Sequence, residues 1–257
     1  MIELIVLGSG TCVPSARRAG PSACLMASGQ TFLIDSAAGT LRQLAKAGIP
    51  HDAIDTVLYT HFHPDHVGEF VPFIFAMKYA PGYKRTAPVK IFAARGFEKF
   101  YAAMKEAFGK WVEPKDGRLM VEELPCEMSA AIQLPPFVVR SAPVEHTPQS
   151  LAYRIECPDG KVVVFSGDTD ICHGIVELAS GADLLVCECA APEGFKVGGH
   201  LVPSEAGRIA AEAGVKALLL THFYPICDEH DIMGPCKAVY DGAVILAEDL
   251  MRIVMDF

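Results

Sequence analysis

The chain has 257 residues, of which 51% are hydrophobic and 21% charged, and its formal net charge is −9 at pH 7. This composition excludes a disordered protein, and the length is enough for a substantial core. The acidic balance disfavours extended contact with a nucleic acid backbone, which normally needs a basic surface. Because no segment resembles a linker, we expect one domain over residues 1–257.

The first apolar stretch, residues 2–7, has no basic flank and is too short for a signal peptide, so we interpret it as a strand. No apolar run approaches the roughly 20 residues needed to span a bilayer. The nine cysteines are an odd number, and only Cys187 and Cys189 lie close together, so no disulfide framework is indicated. These features predict a cytoplasmic protein without membrane contact.

Short runs rich in β-branched residues alternate with helical patterns along the chain, which indicates an α/β fold. Pro158, Asp159 and Gly160 predict a hairpin turn between two of the strands. The predicted strands cover residues 3–7, 31–35, 54–60, 89–93, 119–124, 137–143, 151–157, 162–166, 184–188, 217–221 and 252–256. The predicted helices cover residues 40–47, 65–79, 96–108, 203–213 and 237–249.

Four side chains that can bind metal follow the third predicted strand, namely His61, His63, Asp65 and His66. Side chains at i and i+2 of an extended segment point the same way, so His61 and His63 can hold one ion. Pro64 suits the first turn of a helix, which carries Asp65 and His66 towards a neighbouring position. A bound dication offsets the cost of burying so many polar groups. The spacing therefore predicts two adjacent metal ions.

Other predicted strands also run into residues that can bind metal. His146, Asp168 and His222 each follow such a strand. Ligands gather outside the carboxyl ends of strands in open α/β sheets, so we expect these three residues to converge with the histidine cluster.

The order of these motifs resembles that of the metallo-β-lactamase superfamily, and within it the ribonuclease Z-like branch. The motifs are the Thr-His-x-His-x-Asp-His run at 60–66, the single His146, the Ser-Gly-Asp-Thr element at 166–169 and the Leu-Thr-His element at 220–222. The glycine-rich opening at 7–15 and the Leu-Ile-Asp element at 33–35 are also similar to the branch. The resemblance implies a four-layer αβ/βα sandwich with two mixed sheets, and a metal-dependent hydrolase.

The resemblance also implies which residues bind the two ions. It assigns His61, His63 and His146 to the first ion. It assigns Asp65, His66 and His222 to the second ion, and Asp168 to both as a bridging carboxylate. Zinc is the favoured metal, and manganese and iron are alternatives because these ligands suit all three. Asp65 is also assigned a catalytic role, in orienting a hydroxide between the ions.

A Gly-His-x-x-x-Ser-Glu-Ala element at 199–206 matches a further motif of the branch. By resemblance, His200 contacts the scissile phosphate and protonates the leaving oxygen, and Glu188 orients His200. The residues alone allow another interpretation, in which His200 caps the helix that starts near Pro203 and Glu188 faces solvent.

Members of the branch that process transfer RNA usually carry a long basic arm between the third and fourth motifs. Here only residues 147–167 separate His146 from Asp168, and a predicted hairpin uses most of them. With the acidic charge, this predicts a phosphodiesterase that acts on small or cyclic phosphodiesters through a metal-bridging hydroxide, without extended nucleic acid binding.

Several alternatives stay open from the sequence. The same ions could serve an acyl (thioester or lactone) or arylsulfate ester hydrolase, or a ribonuclease Z-type RNA endonuclease. Outside the enzymes, the chain could be a metal-holding sensor or a partner-binding subunit, although the complete ligand set argues against lost catalysis. The resemblance is also consistent with a homodimer.

Overall fold

The computed structural model describes residues 2–115 and 117–255. One of its two seven-stranded sheets has three antiparallel pairs followed by three parallel pairs. Its strands in chain order are β1 (Ile2–Gly8), β2 (Ser22–Ala27), β3 (Gln30–Ile34), β4 (Thr56–Leu58), β5 (Val89–Ala94), β6 (Leu119–Leu124) and β14 (Arg252–Val254). Their order across the sheet is β14-β1-β2-β3-β4-β5-β6.

The second sheet is also mixed, with antiparallel pairing at one side and parallel pairing at the other. Its strands are β7 (Ala130–Leu134), β8 (Phe137–Pro143), β9 (Leu151–Glu156), β10 (Val162–Phe165), β11 (Leu184–Glu188), β12 (Ala217–Thr221) and β13 (Ala243–Leu246). They lie in the order β13-β12-β11-β10-β9-β8-β7. The turn between β9 and β10 is short, so no arm extends from this hairpin.

Alternate residues of the strands face two different cores. On β3, Phe32 and Ile34 belong to the core between the sheets, where Phe32 meets Phe137 of the second sheet at a ring-centroid distance of 5.1 Å. Leu33, between them, belongs to the core under the helices that cover the first sheet. Because both faces of the strand are buried here, the run 32–34 is apolar at every position instead of alternating.

Helices cover the outer faces of both sheets and complete four layers. Leu44, Phe70 and Phe97 come from three helices packed on the first sheet, and Ile175 and Ile209 come from helices packed on the second. The helices are α1 (Thr40–Lys46), α2 (Pro64–Val67), α3 (Phe70–Tyr79), α4 (Phe97–Phe108), α5 (His173–Ala179), α6 (Pro203–Ala213) and α7 (Met233–Lys237). The predicted four-layer sandwich is confirmed.

Several predicted elements were wrong or missing. The single helix predicted at 65–79 is divided into α2 and α3 at Gly68, where an added Cβ would lie 2.6 Å from the carbonyl oxygen of Pro64. The helix predicted at 237–249 is wrong, because α7 ends at Lys237 and the apolar run 243–246 pairs with β12 as a parallel strand. Strands β2 and β7 and helix α5 were not predicted. Asp256, at the end of the last predicted strand, lies outside the described residues.

Within residues 2–115 and 117–255, no helix is long and apolar enough to cross a membrane.

Candidate metal centre

The candidate ligands come together where strands of the two sheets end. His61 lies three residues after β4, His146 three after β8, Asp168 three after β10, and His222 directly after β12. One ligand atom from each of His61, His63, His146 and Asp168 lies within 4.8 Å of the others. The seven residues assigned to the two ions by resemblance therefore fall at a single edge of the sandwich.

A second group forms beside the first. One ligand atom each of Asp65, His66 and His222 also lies within 4.8 Å of the others. The two groups are those that the resemblance assigned to the first and second ions.

Asp168 lies between the two groups. Its Oδ2 is 3.6 Å from Nε2 of His61 and 3.7 Å from Nε2 of His146, and its Oδ1 is 3.3 Å from Nε2 of His222. Two atoms that each bind one tetrahedral ion at ~2.1 Å are roughly 3.4 Å apart. Oδ2 is also 3.3 Å from Nε2 of His66, which belongs to the second group. The spacing around Asp168 is that of atoms sharing ions, with Oδ2 near histidines of both groups and Oδ1 near His222.

Among the described residues, five buried ring nitrogens have no hydrogen-bond partner, and three of them lie around Asp168, namely Nε2 of His61, His66 and His222. Leaving a buried polar atom unpaired costs about 1–3 kcal/mol. Three such atoms around one buried carboxylate fit a bound cation. A histidine and aspartate cluster of this kind in this fold fits divalent metal ions.

The opposite ring nitrogens of three histidines are fixed by hydrogen bonds. His66 Nδ1 donates to Asp35 Oδ2 at 2.8 Å, and His146 Nδ1 donates to the carbonyl oxygen of Gly199 at 2.8 Å. His61 Nδ1 lies 3.1 Å from Oγ1 of Thr60, whose hydroxyl donates to Asp35. With the proton on Nδ1, each Nε2 keeps a free lone pair directed at the centre.

The charge states of His61, His222 and Asp168 suit metal ligation. Burial lowers the pKa of His222 to about 4, and burial together with the charge of His66 lowers that of His61. Burial alone would raise the pKa of Asp168, but His222 and His66 hold it well below its ordinary value. His61 and His222 are therefore neutral and Asp168 ionised at neutral pH, the forms that bind metal. Burial lowers the pKa of His66, but Asp168 and Asp35 outweigh burial and raise it, so metal binding at His66 Nε2 displaces a proton.

His63 and Asp65 form the open side of the centre. His63 is exposed and its Nδ1 lies 3.1 Å from Nε2 of His146. Asp65 is partly exposed, with Oδ2 3.9 Å from Nε2 of His222. Asp65 also lines a groove of about 430 Å³ with Cys12 and Arg18. Substrate can approach the centre from this side.

His200 and Glu188 form a buried pair beside the candidate ligands. His200 Nδ1 lies 2.9 Å from Oε1 of Glu188, and the His200 ring is 4.8 Å from that of His146 and nearly parallel to that of His222. Helix α6 has Val202 at its N-cap, so His200 does not cap it. Glu188 is 2% exposed and does not face solvent.

Backbone groups hold Glu188 in place. Its carboxylate accepts N–H bonds from Thr169 at 2.9 Å, Ala190 at 3.1 Å and Leu201 at 3.2 Å. Burial lowers the pKa of His200, but the hydrogen bond and charge of Glu188 outweigh it, so that the pKa is raised. Glu188 therefore favours the imidazolium form of His200.

Asp35 was not assigned a function from the sequence. It is 4% exposed and accepts hydrogen bonds from the backbone N–H and hydroxyl of Thr60, both at 2.8 Å, as well as from His66. It directly follows β3, the neighbour of β4, so the rule that polar residues at strand ends converge could have found it.

Comparison with known proteins places the chain in a family. The family model described as "Beta-lactamase superfamily domain" matches residues 30–223. Ribonuclease Z of Mycobacterium sp. (strain KMS) is 30% identical over 275 residues, covering 98% of this chain and 96% of the relative. The chain belongs to the metallo-β-lactamase superfamily, in its ribonuclease Z-like branch. This member of the superfamily is a metal-dependent hydrolase, so the non-enzyme alternative is wrong.

Solved structures show the same fold. The metallo-β-lactamase fold protein YhfI from Bacillus subtilis superposes with a TM-score of 0.83 at 23% identity, covering 98% of each chain. Human tRNase Z, short form, superposes with a TM-score of 0.82 at 23% identity, covering 99% of this chain and 100% of that one.

The comparisons correct one expectation about partners. The acidic charge and the short β9–β10 hairpin predicted no extended binding of nucleic acid. That prediction is wrong, because relatives that match 98% of this chain are named Ribonuclease Z. Net charge averages over the whole surface and does not report a local basic region.

Proposed function

We propose that this chain is a phosphodiesterase of the ribonuclease Z type that cleaves a phosphodiester bond of RNA with two divalent ions. The observation that carries the proposal is His200, hydrogen-bonded to the buried carboxylate of Glu188 beside two groups of metal-competent side chains. A hydrolase of thioesters or arylsulfates, whose thiolate or phenolate leaving groups depart readily, has less use for such a proton donor than one whose leaving group is a poor alkoxide. The relatives named Ribonuclease Z support the RNA substrate.

Seven residues would hold the ions, with zinc the favoured species. They are His61, His63 and His146 for one ion, Asp65, His66 and His222 for the other, and Asp168 for both. The bound ions supply Lewis acidity towards the phosphate and a nucleophile at neutral pH.

The protein's own residues position the reaction and supply a proton. His200 presents Nε2 to the leaving oxygen, since its Nδ1 is engaged by Glu188. Glu188 stabilises the imidazolium form and fixes the ring plane, and its three backbone partners prevent it from turning away. Asp65, on the open side, accepts a hydrogen bond from the attacking water and orients it. General acid catalysis of this kind contributes about 10²–10⁴-fold.

The same residues act on any phosphodiester that reaches the open side. We therefore include small phosphodiesters among the substrates, because the centre is accessible at His63 and Asp65 without a long binding partner. A diester with a good leaving group such as nitrophenolate needs little protonation by His200. Its hydrolysis rate therefore measures the function of the other residues of the centre.

The test is cleavage of a precursor transfer RNA with a 3′ trailer by the metal-loaded protein. We expect cleavage by the wild type, a loss of about 10²–10⁴-fold in His200→Ala with metal content unchanged, and wild-type rates in the control His173→Ala, whose side chain is 82% exposed on α5. A metal-replete protein that cleaves no RNA would refute the proposal.

A further inference from the structure

Three exposed aromatic side chains lie together on the outer face of the first sheet's helix layer. Phe75 and Tyr79 come from α3, and Trp111 comes from the turn after α4; they are 45%, 42% and 50% exposed. Their ring centroids are 4.8 Å apart for Phe75 and Tyr79, and 5.7 Å apart for Tyr79 and Trp111. We name these three residues the aromatic platform. A contiguous exposed patch of this type marks an interaction site.

Lysines surround the platform. The Lys78 ammonium lies 5.4 Å from the Tyr79 ring centroid, and that of Lys110 lies 5.5 Å from the Trp111 ring centroid. Across the described residues, neither lysine has a carboxylate within ion-pair distance. Residues 78–115 contain nine Lys and Arg and only three Glu, in a chain whose net charge is −9. The platform thus lies in the basic part of an acidic protein.

The turn that carries Trp111 is anchored to the helices on both sides. Val112 points inward and is 1% exposed, and its carbonyl accepts a hydrogen bond from the Tyr101 hydroxyl at 2.8 Å. Lys78 donates to the carbonyl oxygen of Lys110, which joins α3 to the turn. The Trp111 ring is therefore presented to solvent from a fixed backbone.

Two helices connect the platform to the metal centre. Phe62, between two of the candidate ligands, packs on Phe97 at the start of α4 with a ring-centroid distance of 5.7 Å. The 12 residues of α4 extend about 18 Å, and Trp111 follows the end of the helix. The 10 residues of α3 extend about 15 Å from Phe70 to the platform. The platform is thus held on the order of 15–20 Å from the centre.

We propose that the aromatic platform, with Lys78 and Lys110, binds an unpaired segment of the RNA substrate at a distance from the scissile bond. Aromatic faces stack on unpaired bases, and lysines beside them neutralise phosphates. A second copy of this basic surface is a poorer occupant, since like charges would meet. The proposal rests on the proposed RNA-cleaving function and gives the chain a substrate contact in place of an arm on the β9–β10 hairpin.

Trp111 is the single tryptophan of the chain, so its fluorescence reports this surface alone. In a titration of the metal-loaded protein with a 12-nucleotide oligouridylate, we expect quenching that saturates and weakens with salt. Release of counterions by two phosphate contacts predicts a slope of about −1.4 for log K against log salt concentration. Unchanged fluorescence up to millimolar oligonucleotide would overturn the proposal.

Kinetics separate this inference from the proposed function. Trp111→Ala should raise KM for precursor transfer RNA about 5- to 100-fold, the range of one stacked base, with kcat and hydrolysis of bis(p-nitrophenyl) phosphate unchanged. The double variant Lys78→Ala with Lys110→Ala should raise KM and flatten the salt slope. A control pair, Lys46→Ala with Lys237→Ala, removes two exposed lysines elsewhere and should leave KM unchanged.

Each further outcome decides one of the two claims. RNA cleavage with the same KM in Trp111→Ala overturns the platform and leaves the function standing. Quenching by oligouridylate without cleavage of any RNA supports the platform and refutes the function. A third outcome is a wild-type protein that sediments as a dimer, a Trp111→Ala variant that sediments as a monomer, and no fluorescence quenching by RNA. This outcome would overturn the proposal and identify a second copy of the chain as the occupant of the platform.

Discussion

Asp35 offers a sharp test of how the centre is built, because it accepts three hydrogen bonds while touching no substrate. It receives the Thr60 N–H, the Thr60 hydroxyl and His66 Nδ1–H, all at 2.8 Å. Its backbone has φ 56°, a left-handed conformation that Asp and Asn tolerate better than Ala. The Ala substitution therefore tests the contribution of Asp35 to folding stability, and the Asn substitution tests its contribution to metal affinity.

Asp35→Ala should cost stability. It leaves the Thr60 N–H and His66 Nδ1–H buried without acceptors, at about 1–3 kcal/mol each, and adds about 1 kcal/mol for the left-handed backbone. The sum is about 3–7 kcal/mol, a large part of the ~5–15 kcal/mol that stabilises a typical domain. Urea unfolding should show this loss as a lower midpoint with an unchanged slope.

Asp35→Asn should keep the fold and lose metal. The amide oxygen of the new side chain can still accept the hydrogen bond from the Thr60 N–H. Its NH₂ group then faces His66 Nδ1 and donates to it, so the ring proton moves to Nε2, the atom that would bind metal. Loss of such a supporting carboxylate lowers metal affinity about 10–100-fold. Chelator competition measures this loss directly.

Asp55→Asn is the matched control. Asp55 lies directly before β4, at the other end of the strand from the cluster, and also accepts a backbone N–H bond, from Thr31 at 2.8 Å. It should lower stability without changing metal affinity. Wild-type metal affinity in Asp35→Asn would contradict the prediction and show that His66 does not bind metal through Nε2.

Three further substitutions test the centre. Asp168→Ala should lower bound metal below half of the wild-type content and nearly abolish turnover, measured by elemental analysis and diester hydrolysis; full metal content would remove its bridging role. His200→Ala should lose less activity on nitrophenyl diesters than on RNA, because nitrophenolate departs without a proton; equal losses would contradict proton donation. Glu188 raises the pKa of His200, so activity that needs the imidazolium falls as pH rises through that pKa. Glu188→Gln should therefore move the alkaline limb of the pH–rate profile to lower pH, and an unmoved limb would refute the pairing.

The sequence could predict the candidate ligands because their spacing reflects local geometry. His61 and His63 are placed by the period of an extended chain, and Pro64 starts the short helix that carries Asp65 and His66. The convergence of His146 with these residues followed from strand ends meeting at one edge. The grouping into two sets needed the family resemblance, since strand-end position does not say which ion a residue faces.

Two strands and the aromatic platform depend on contacts between residues that are far apart in the sequence. Strand β2, with the sequence Ser-Ala-Cys-Leu-Met-Ala, has little β propensity and is a strand because β1 and β3 pair with it on both sides. The run Ala243–Leu246 fits a helical pattern in isolation, and its pairing with β12 decides the strand. The aromatic platform joins residues from α3 and a turn more than 30 positions later, so no local sequence pattern indicates that they lie together.

The most direct test of the central claim is turnover of a precursor transfer RNA measured against the number of zinc ions bound per chain. We expect metal-free protein to be inactive, 3′-trailer cleavage to rise with bound zinc, and activity to reach its plateau at about two ions per chain. Full activity without metal, a plateau at one ion, or no RNA cleavage at two would contradict this claim.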